Sequence, residues 1–160
     1  MKVGQVMASL RAMFAACAIA TLSSGAGADL LDDPVVWQND TWEVRKSIDS
    51  MTDKVSCTGL MKENYFLQLS RKALYIGLES TPQLVTMRYD SNPAEDARLP
   101  REVEEQIEAV VLSGQDFDKV KSSSRIRSRV ATYRGIQDFD IDVSDANEVI
   151  EQINQCEQRG

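Results

Sequence analysis

Three aspartates at every second position, Asp138, Asp140 and Asp142, and four crowded glutamates, Glu102, Glu104, Glu105 and Glu108, are the acidic side chains of this chain spaced closely enough to do chemistry together. The aspartates match the first half of a calcium loop, in which alternate carboxylates ligate the ion. The match ends there. Such a loop needs Gly at its sixth place and Glu at its twelfth, and Val143 and Val149 stand at those places, with no side-chain oxygen to give. The glutamates have the composition of a carboxylate pair for general acid and base work, as in glycoside hydrolysis. Neighbouring acids on a polar helix are ordinarily a solvated face, and the four are read as one. The chain has no histidine, which removes Ser-His-Asp and Cys-His triads and the usual zinc sites. Its eight glycines fall in neither G-x-G-x-x-G nor G-x-x-x-x-G-K spacing, so no phosphate loop is expected. The expectation is a non-enzymatic chain with no catalytic residue, no metal and no cofactor.

Cysteine chemistry depends on the compartment, and the first 28 residues speak to that. Lys2 and Arg11 lead into the apolar run from Ala12 to Leu22, followed by Ser23-Ser24-Gly25 and the small residues Ala26-Gly27-Ala28. This is the pattern of an export signal cleaved after Ala28. The apolar run is well short of the ~20 residues that span a bilayer, and no later window is longer, so no stable membrane span is expected. Phe14-Ala15-Ala16-Cys17 also faintly resembles a lipoprotein cleavage motif, but the apolar run continues past Cys17. Cleavage would leave Cys57 and Cys156, which in an oxidising compartment most simply pair. Their bridge closes a loop of ~100 residues, worth up to ~4.7 kcal/mol in the chain-entropy model. A redox dithiol instead wants close Cys-x-x-Cys spacing.

Cleavage also removes two of 18 basic residues, leaving 16 against 25 acids, a net charge of −9. A chain this acidic repels phosphate backbones, so nucleic acid is not an expected partner.

The elements that must position these groups are short. Residues 29–40 carry Asp32-Asp33-Pro34 and little periodicity, and read as a flexible lead-in. Residues 41–160 read as a single α+β domain, mainly antiparallel sheet. Alternation from Trp42 to Lys46, the turn residues Asp49 to Asp53, and Val55 to Thr58 predict two strands. Tyr65 to Leu69, Ala73 to Leu78 and Leu84 to Tyr89 predict three more in a meander. Asp90 to Pro100, with two prolines, reads as a loop. Residues 101–112 are ambiguous: Val103, Ile107, Val110 and Val111 keep helical spacing, whereas Ile107 to Leu112 alone passes for a strand, and a helix giving way to extended chain is favoured. Phe117 and Val120 predict a short helical turn.

Arg125 to Val130 and Asp138 to Val143 both alternate with period two around Arg134-Gly135. A two-residue turn at Arg134-Gly135 would set Arg129 opposite Asp140 and Arg127 opposite Asp142, a structural salt ladder, with Val130 against Phe139 and Ile126 against Val143 on the other face. The chain closes with a helix capped by Ser144 or Asp142, with Asp145 and Glu148 in its first turn. It buries Ala146, Val149, Ile150 and Ile153, with Cys156 on the same face.

This layout of an export signal, Trp42 in an early strand, Ser50-Met51-Thr52-Asp53, a strand ending in Met87-Arg88-Tyr89-Asp90, and Phe139-Asp140-Ile141-Asp142-Val143-Ser144 before a helix with Cys156 resembles small Gram-negative envelope proteins. The likeness is to the type VI secretion-associated periplasmic family and, more distantly, to the invasion-associated locus B family. It implies no known reaction. The expected role is a periplasmic or secreted accessory module that binds another envelope or secreted protein. The alternative is an acidic inhibitor or immunity protein covering a basic cell-wall hydrolase or toxin, through charge complementarity.

Overall fold

The computed structural model describes residues 30–159, so the expected export segment, its cleavage site and Cys17 lie outside the described residues. The chain forms β1 (Val35–Gln38), β2 (Trp42–Ile48), β3 (Val55–Met61), β4 (Asn64–Leu69), β5 (Ala73–Gly77) and β6 (Pro82–Tyr89). Then come α1 (Glu102–Gln106), β7 (Ala109–Ser113), α2 (Gln115–Ser122), β8 (Arg125–Thr132), β9 (Gly135–Asp142) and α3 (Ala146–Gln158). Six strands in the order β1-β2-β3-β4-β5-β7 make one sheet, and β6-β8-β9 make a second. All named pairings are antiparallel. The fold is thus α+β, of short antiparallel strands with a closing helix, as the alternating segments predict.

Period-two alternation decides which side chains meet. Along β2 to β7 it sends Trp42, Val44, Cys57, Met61, Leu67, Leu69, Leu74, Ile76, Val110 and Leu112 into one cluster. Val85, Met87, Ile126, Val130 and Ile141 of the small sheet join it, as do Phe117 and Val120 of α2 and Ala146, Val149 and Ile153 of α3. Each large aliphatic buried this way contributes about 1.5–3 kcal/mol before chain entropy is counted. α3 lies mainly on β3. Gly59 permits that approach, since a Cβ there would stand 2.6 Å from Cγ1 of Val149. About two turns further along the helix, the Cys57–Cys156 disulfide ties the same strand to the same helix, with a Cα separation of 6.3 Å. The bond is the one expected from cysteine count, and it fits an oxidising compartment. Among the described residues no helix is long and apolar enough to cross a membrane.

Two local expectations change, at the lead-in and at the cap of the last helix, and one holds in outline. Residues 35–38 of the expected lead-in are strand β1, paired through Trp37 with Val44 and Gln38 with Glu43. Their side chains are mostly exposed, so they carry no alternating signal; the strand is held by its backbone and by Arg45, whose guanidinium donates to the carbonyls of Leu31 and Asp33. In residues 101–112 a helix gives way to extended chain as expected, but the helix is only five residues, and Val103 and Ile107 are about half exposed. Only Val110 and Val111 of the four spaced apolar residues are buried, as part of strand β7. At the last helix, Asp145 is the N-cap residue, while Asp142 accepts the backbone N–H and the hydroxyl of Ser144 just before it.

Because the disulfide spans 99 residues of sequence, replacing Cys57 and Cys156 together by Ala is expected to cost about 3 kcal/mol. Urea unfolding of the oxidised protein and the double variant checks this. A midpoint unchanged within error would show that packing of α3 at Gly59 holds the helix without the bond.

Candidate binding surface on the three-stranded sheet

The second sheet carries the residues that the sequence singled out. Alternation turns Val85, Met87, Ile126, Val130 and Ile141 inward, so the intervening side chains face out. The register lays the outer face in rows across the three strands. Leu84, Ala131 and Ile136 form an apolar row, Thr86, Arg129 and Asp138 the next, and Arg88, Arg127 and Asp140 a third. Tyr133, in the turn beyond the apolar row, and Ile136 are 76% and 69% exposed.

The expected ladder exists on the expected face, but its rungs are displaced. Arg125 lies opposite Asp142, Arg127 opposite Asp140 and Arg129 opposite Asp138, so neither the Arg127–Asp142 nor the Arg129–Asp140 pair forms. The cause is the turn. Tyr133 and Arg134 occupy it, and Gly135 opens β9 with φ +131°, where a glycine is favoured. Thr132 holds the turn: its hydroxyl accepts the Arg134 N–H at 3.2 Å and donates to the Gly135 carbonyl at 3.0 Å. Shifting the turn by one residue moves opposing partners by two, which preserves each face and changes every pair.

The ion pairs are forks. Arg129 reaches Asp138 at 2.7 and 3.1 Å, and Arg125 crosses diagonally to Asp140 at 2.5 and 2.7 Å. Arg127 touches Asp140 at 3.5 Å only. The arginine hydrogen bonds hold the Asp138 and Asp140 carboxyls below the usual carboxylate range. Solvent screens these exposed pairs, so they fix side-chain geometry more than they stabilise the fold. With arginines in this position the aspartates are not a cation site, and among the described residues no group of three His, Cys, Asp or Glu side chains is placed to hold a metal ion.

The two edges of this sheet differ. The outer edge of β6 is covered by the following loop: Val85 and Arg98 exchange two backbone hydrogen bonds of 2.9 Å, and the Glu95 N–H donates to Met87. The outer edge of β9 has no strand beside it among the described residues. Along it runs a groove of about 310 Å³, with Gln137, Asp138 and Phe139 on one wall and Asn64, Phe66 and Leu78 on the other. Phe66 is 66% exposed. Within the chain the side-chain carbonyl of Gln137 is buried with no donor.

What fixes the covered edge is a residue that sequence reasoning assigned to a solvated face. Glu104 is fully buried. Its carboxylate receives both arms of Arg98 at 2.7 Å, the Arg101 N–H at 2.7 Å and the Val111 N–H at 2.9 Å. Burial alone would push its pKa up; the Arg98 fork and the two backbone donors more than offset that, and the net shift is downward. Around it Arg101 bonds Asp116 at 2.8 Å, and Lys119 bonds Glu95 at 2.6 Å and lies over the Tyr89 ring. The available signal was Pro100 before a short helix with Glu at its third position, where a carboxylate reaches back to the helix start. The other glutamates, Glu102, Glu105 and Glu108, are exposed, whereas the Glu104 carboxylate is closed by the four N–H donors just named.

Comparison of the chain with protein-family models, curated proteins and solved structures finds no match.

Glu104→Gln leaves the Arg98 guanidinium without its counter-charge, and the expected cost is about 3 kcal/mol at pH 7. The sign with pH follows from a lowered carboxylate pKa. Its stabilisation is full above the ordinary value of 4.5 and is lost as pH falls through the lower folded value. The difference between wild type and variant in thermal unfolding should therefore be wide at pH 7 and narrow towards pH 2. A gap that stays constant across that range would contradict a charged Glu104.

Proposed function

We propose that this chain is a non-enzymatic accessory module of the bacterial envelope that binds another envelope or secreted protein by accepting an extended segment at the open edge of β9. The carrying observation is that edge with its groove: an unpaired strand flanked by the exposed ring of Phe66 and by Phe139. Strand addition supplies backbone hydrogen bonds for affinity and pockets for alternate side chains for specificity. Thr132 and Gly135 flank a two-residue turn, so they form a hydrogen-bonded pair and alternate residues of β9 turn their backbone groups outward. By that count Ile136, Asp138 and Asp140 offer theirs to a newcomer.

The side chains argue for a different chain as partner. In antiparallel self-pairing centred on Phe139, Asp138 of one copy would face Asp140 of the other, and like charges directly opposite destabilise a sheet. The complementary segment places basic residues beside the aspartates and apolar ones towards the groove. The envelope location rests on the export-like first 28 residues together with the disulfide, and kinship with type VI secretion-associated periplasmic proteins belongs to the same proposal. A basic partner segment also suits the second reading, an inhibitor of a basic cell-wall hydrolase or toxin, which the acidic net charge favours.

Mild crosslinking in the envelope, followed by capture and mass spectrometry, is expected to return a stoichiometric protein. Phe66→Lys, which adds a repelling charge to the groove, and Asp138→Pro, which removes an outward N–H, should each lower its recovery about tenfold. Recovery unaffected by both variants, or no stoichiometric partner at any salt concentration, would refute strand addition. A captured basic hydrolase whose activity falls on binding would select the inhibitor reading.

A further inference from the structure

We infer that the outer face of the β6-β8-β9 sheet holds an anion site between Arg88 and Arg127, which takes the carboxylate or phosphate group of a small organic anion. The register sets the two arginines directly opposite each other on neighbouring strands. Like charges in that position destabilise a sheet unless something is placed between or beside them. The local acids do not supply it. Asp138 is closed by the fork of Arg129 and Asp140 by the fork of Arg125, which leaves Arg127 a single carboxylate contact of 3.5 Å. Arg88 has no carboxylate within ion-pair distance among the described residues; its guanidinium donates to the carbonyls of Asn92 at 2.8 Å and Ser91 at 3.5 Å. A guanidinium carries five N–H donors, so both arginines keep donors to spare.

The surroundings form a receptacle for such a ligand. A concavity of about 430 Å³ lies over this part of the face, lined by Thr86, Arg88, Ala94, Arg127 and Arg129 and, on the β9 side, by Asp138 and Asp140, whose carboxylates are already engaged by the forks of Arg129 and Arg125. Ala94, small and on the loop that covers the β6 edge, leaves room at one wall. Thr86 and Arg129, directly opposite each other one row away, add a hydroxyl and a third guanidinium. Carboxylate and phosphate groups both match paired N–H arms, and Arg suits such bidentate contact better than Lys. In a chain that carries an excess of acids overall, Arg88 on β6 and Arg125, Arg127 and Arg129 on β8 outnumber the three aspartates of β9 on this face by one. The two arginines stand on β6 and β8, off the β9 edge, while the concavity shares Asp138 and Phe139 with the edge groove and does not reach Phe66.

The test titrates the purified, disulfide-bonded protein with inorganic phosphate and, separately, with glutarate at low chloride, following backbone amide shifts of β6 and β8. Saturable binding of either probe, with affinity lowered tenfold or more in Arg88→Gln and in Arg127→Gln and unchanged in Arg134→Gln, is the expected result. Saturation by phosphate alone or by glutarate alone identifies the class of anion. Relief of like-charge repulsion further predicts that Arg127→Gln keeps or raises the melting temperature, whereas a purely structural arginine would lower it. Failure of both probes to saturate, or an equal loss of affinity in Arg134→Gln, would overturn the site in favour of diffuse surface charge. Phe66→Lys should leave anion binding intact, so failure at the strand edge and failure here are read separately.

Discussion

The contact between α3 and β3 is the constraint on which the remaining architecture depends. Gly59 removes the side chain that would otherwise hold the helix off the sheet, Val149 fills the space, and Cys57–Cys156 fastens the pair. Both ends of the described chain meet there, because β3 belongs to the early strands and α3 is the final element. With α3 fixed, β9, which precedes it by only three residues, has its end fixed too, and through the hairpin so does β8. The small sheet is then held against the large one by Ile126, Val130 and Ile141 without any strand shared between them. A link between distant parts of a chain restricts the unfolded state most, which is why one bond in this place matters more than one within a hairpin.

Most of the fold was legible where burial on one face imposed a period. Trp42 and Val44, Leu67 and Leu69, Val85 and Met87, and the apolar residues of α3 each carry that imprint, and the elements they predict are present. β1 was not legible, because an edge strand with exposed side chains is held by backbone hydrogen bonds to β2, and those leave no mark on residue type. The ladder was half legible. Alternation settles which face a residue occupies, but the pairing along the strand is set by the turn, and Thr132 with Gly135 settled that turn through local hydrogen bonds. Glu104 was illegible for a different reason. Its neighbours Glu102 and Glu105 are exposed, and only the three-dimensional return of Arg98 and the Val111 N–H makes burial of one carboxylate tolerable.

The candidate surface inherits this division. Its side-chain composition could be read in advance, since Asp138, Asp140, Arg127 and Arg129 stand where period two puts them. Its functional asymmetry could not, because that depends on which edge of the sheet the rest of the chain covers. The cover over β6 is a loop with two prolines, which offers few backbone donors and needs an anchor. The Arg98–Glu104 pair supplies it, and the Val111 N–H, which donates to Glu104 from β7, extends that anchor into the large sheet.

An uncovered strand edge is a hazard, since any extended chain can add to it, and folded proteins ordinarily blunt such edges with charge, proline or a bulge. β9 has the first device, in an arrangement that discriminates. Aspartates at alternate positions repel the same strand from a second copy, yet they do not cover the outward backbone groups of β9. The arginines of β8 complete the arrangement by holding the carboxylates of Asp138 and Asp140 through paired hydrogen bonds. Protection by bulk or by proline would have closed the edge to every partner. Protection by charge opposes a second copy of the same strand while leaving the backbone groups of β9 unobstructed, so the ladder that adds little to stability bears instead on self-association.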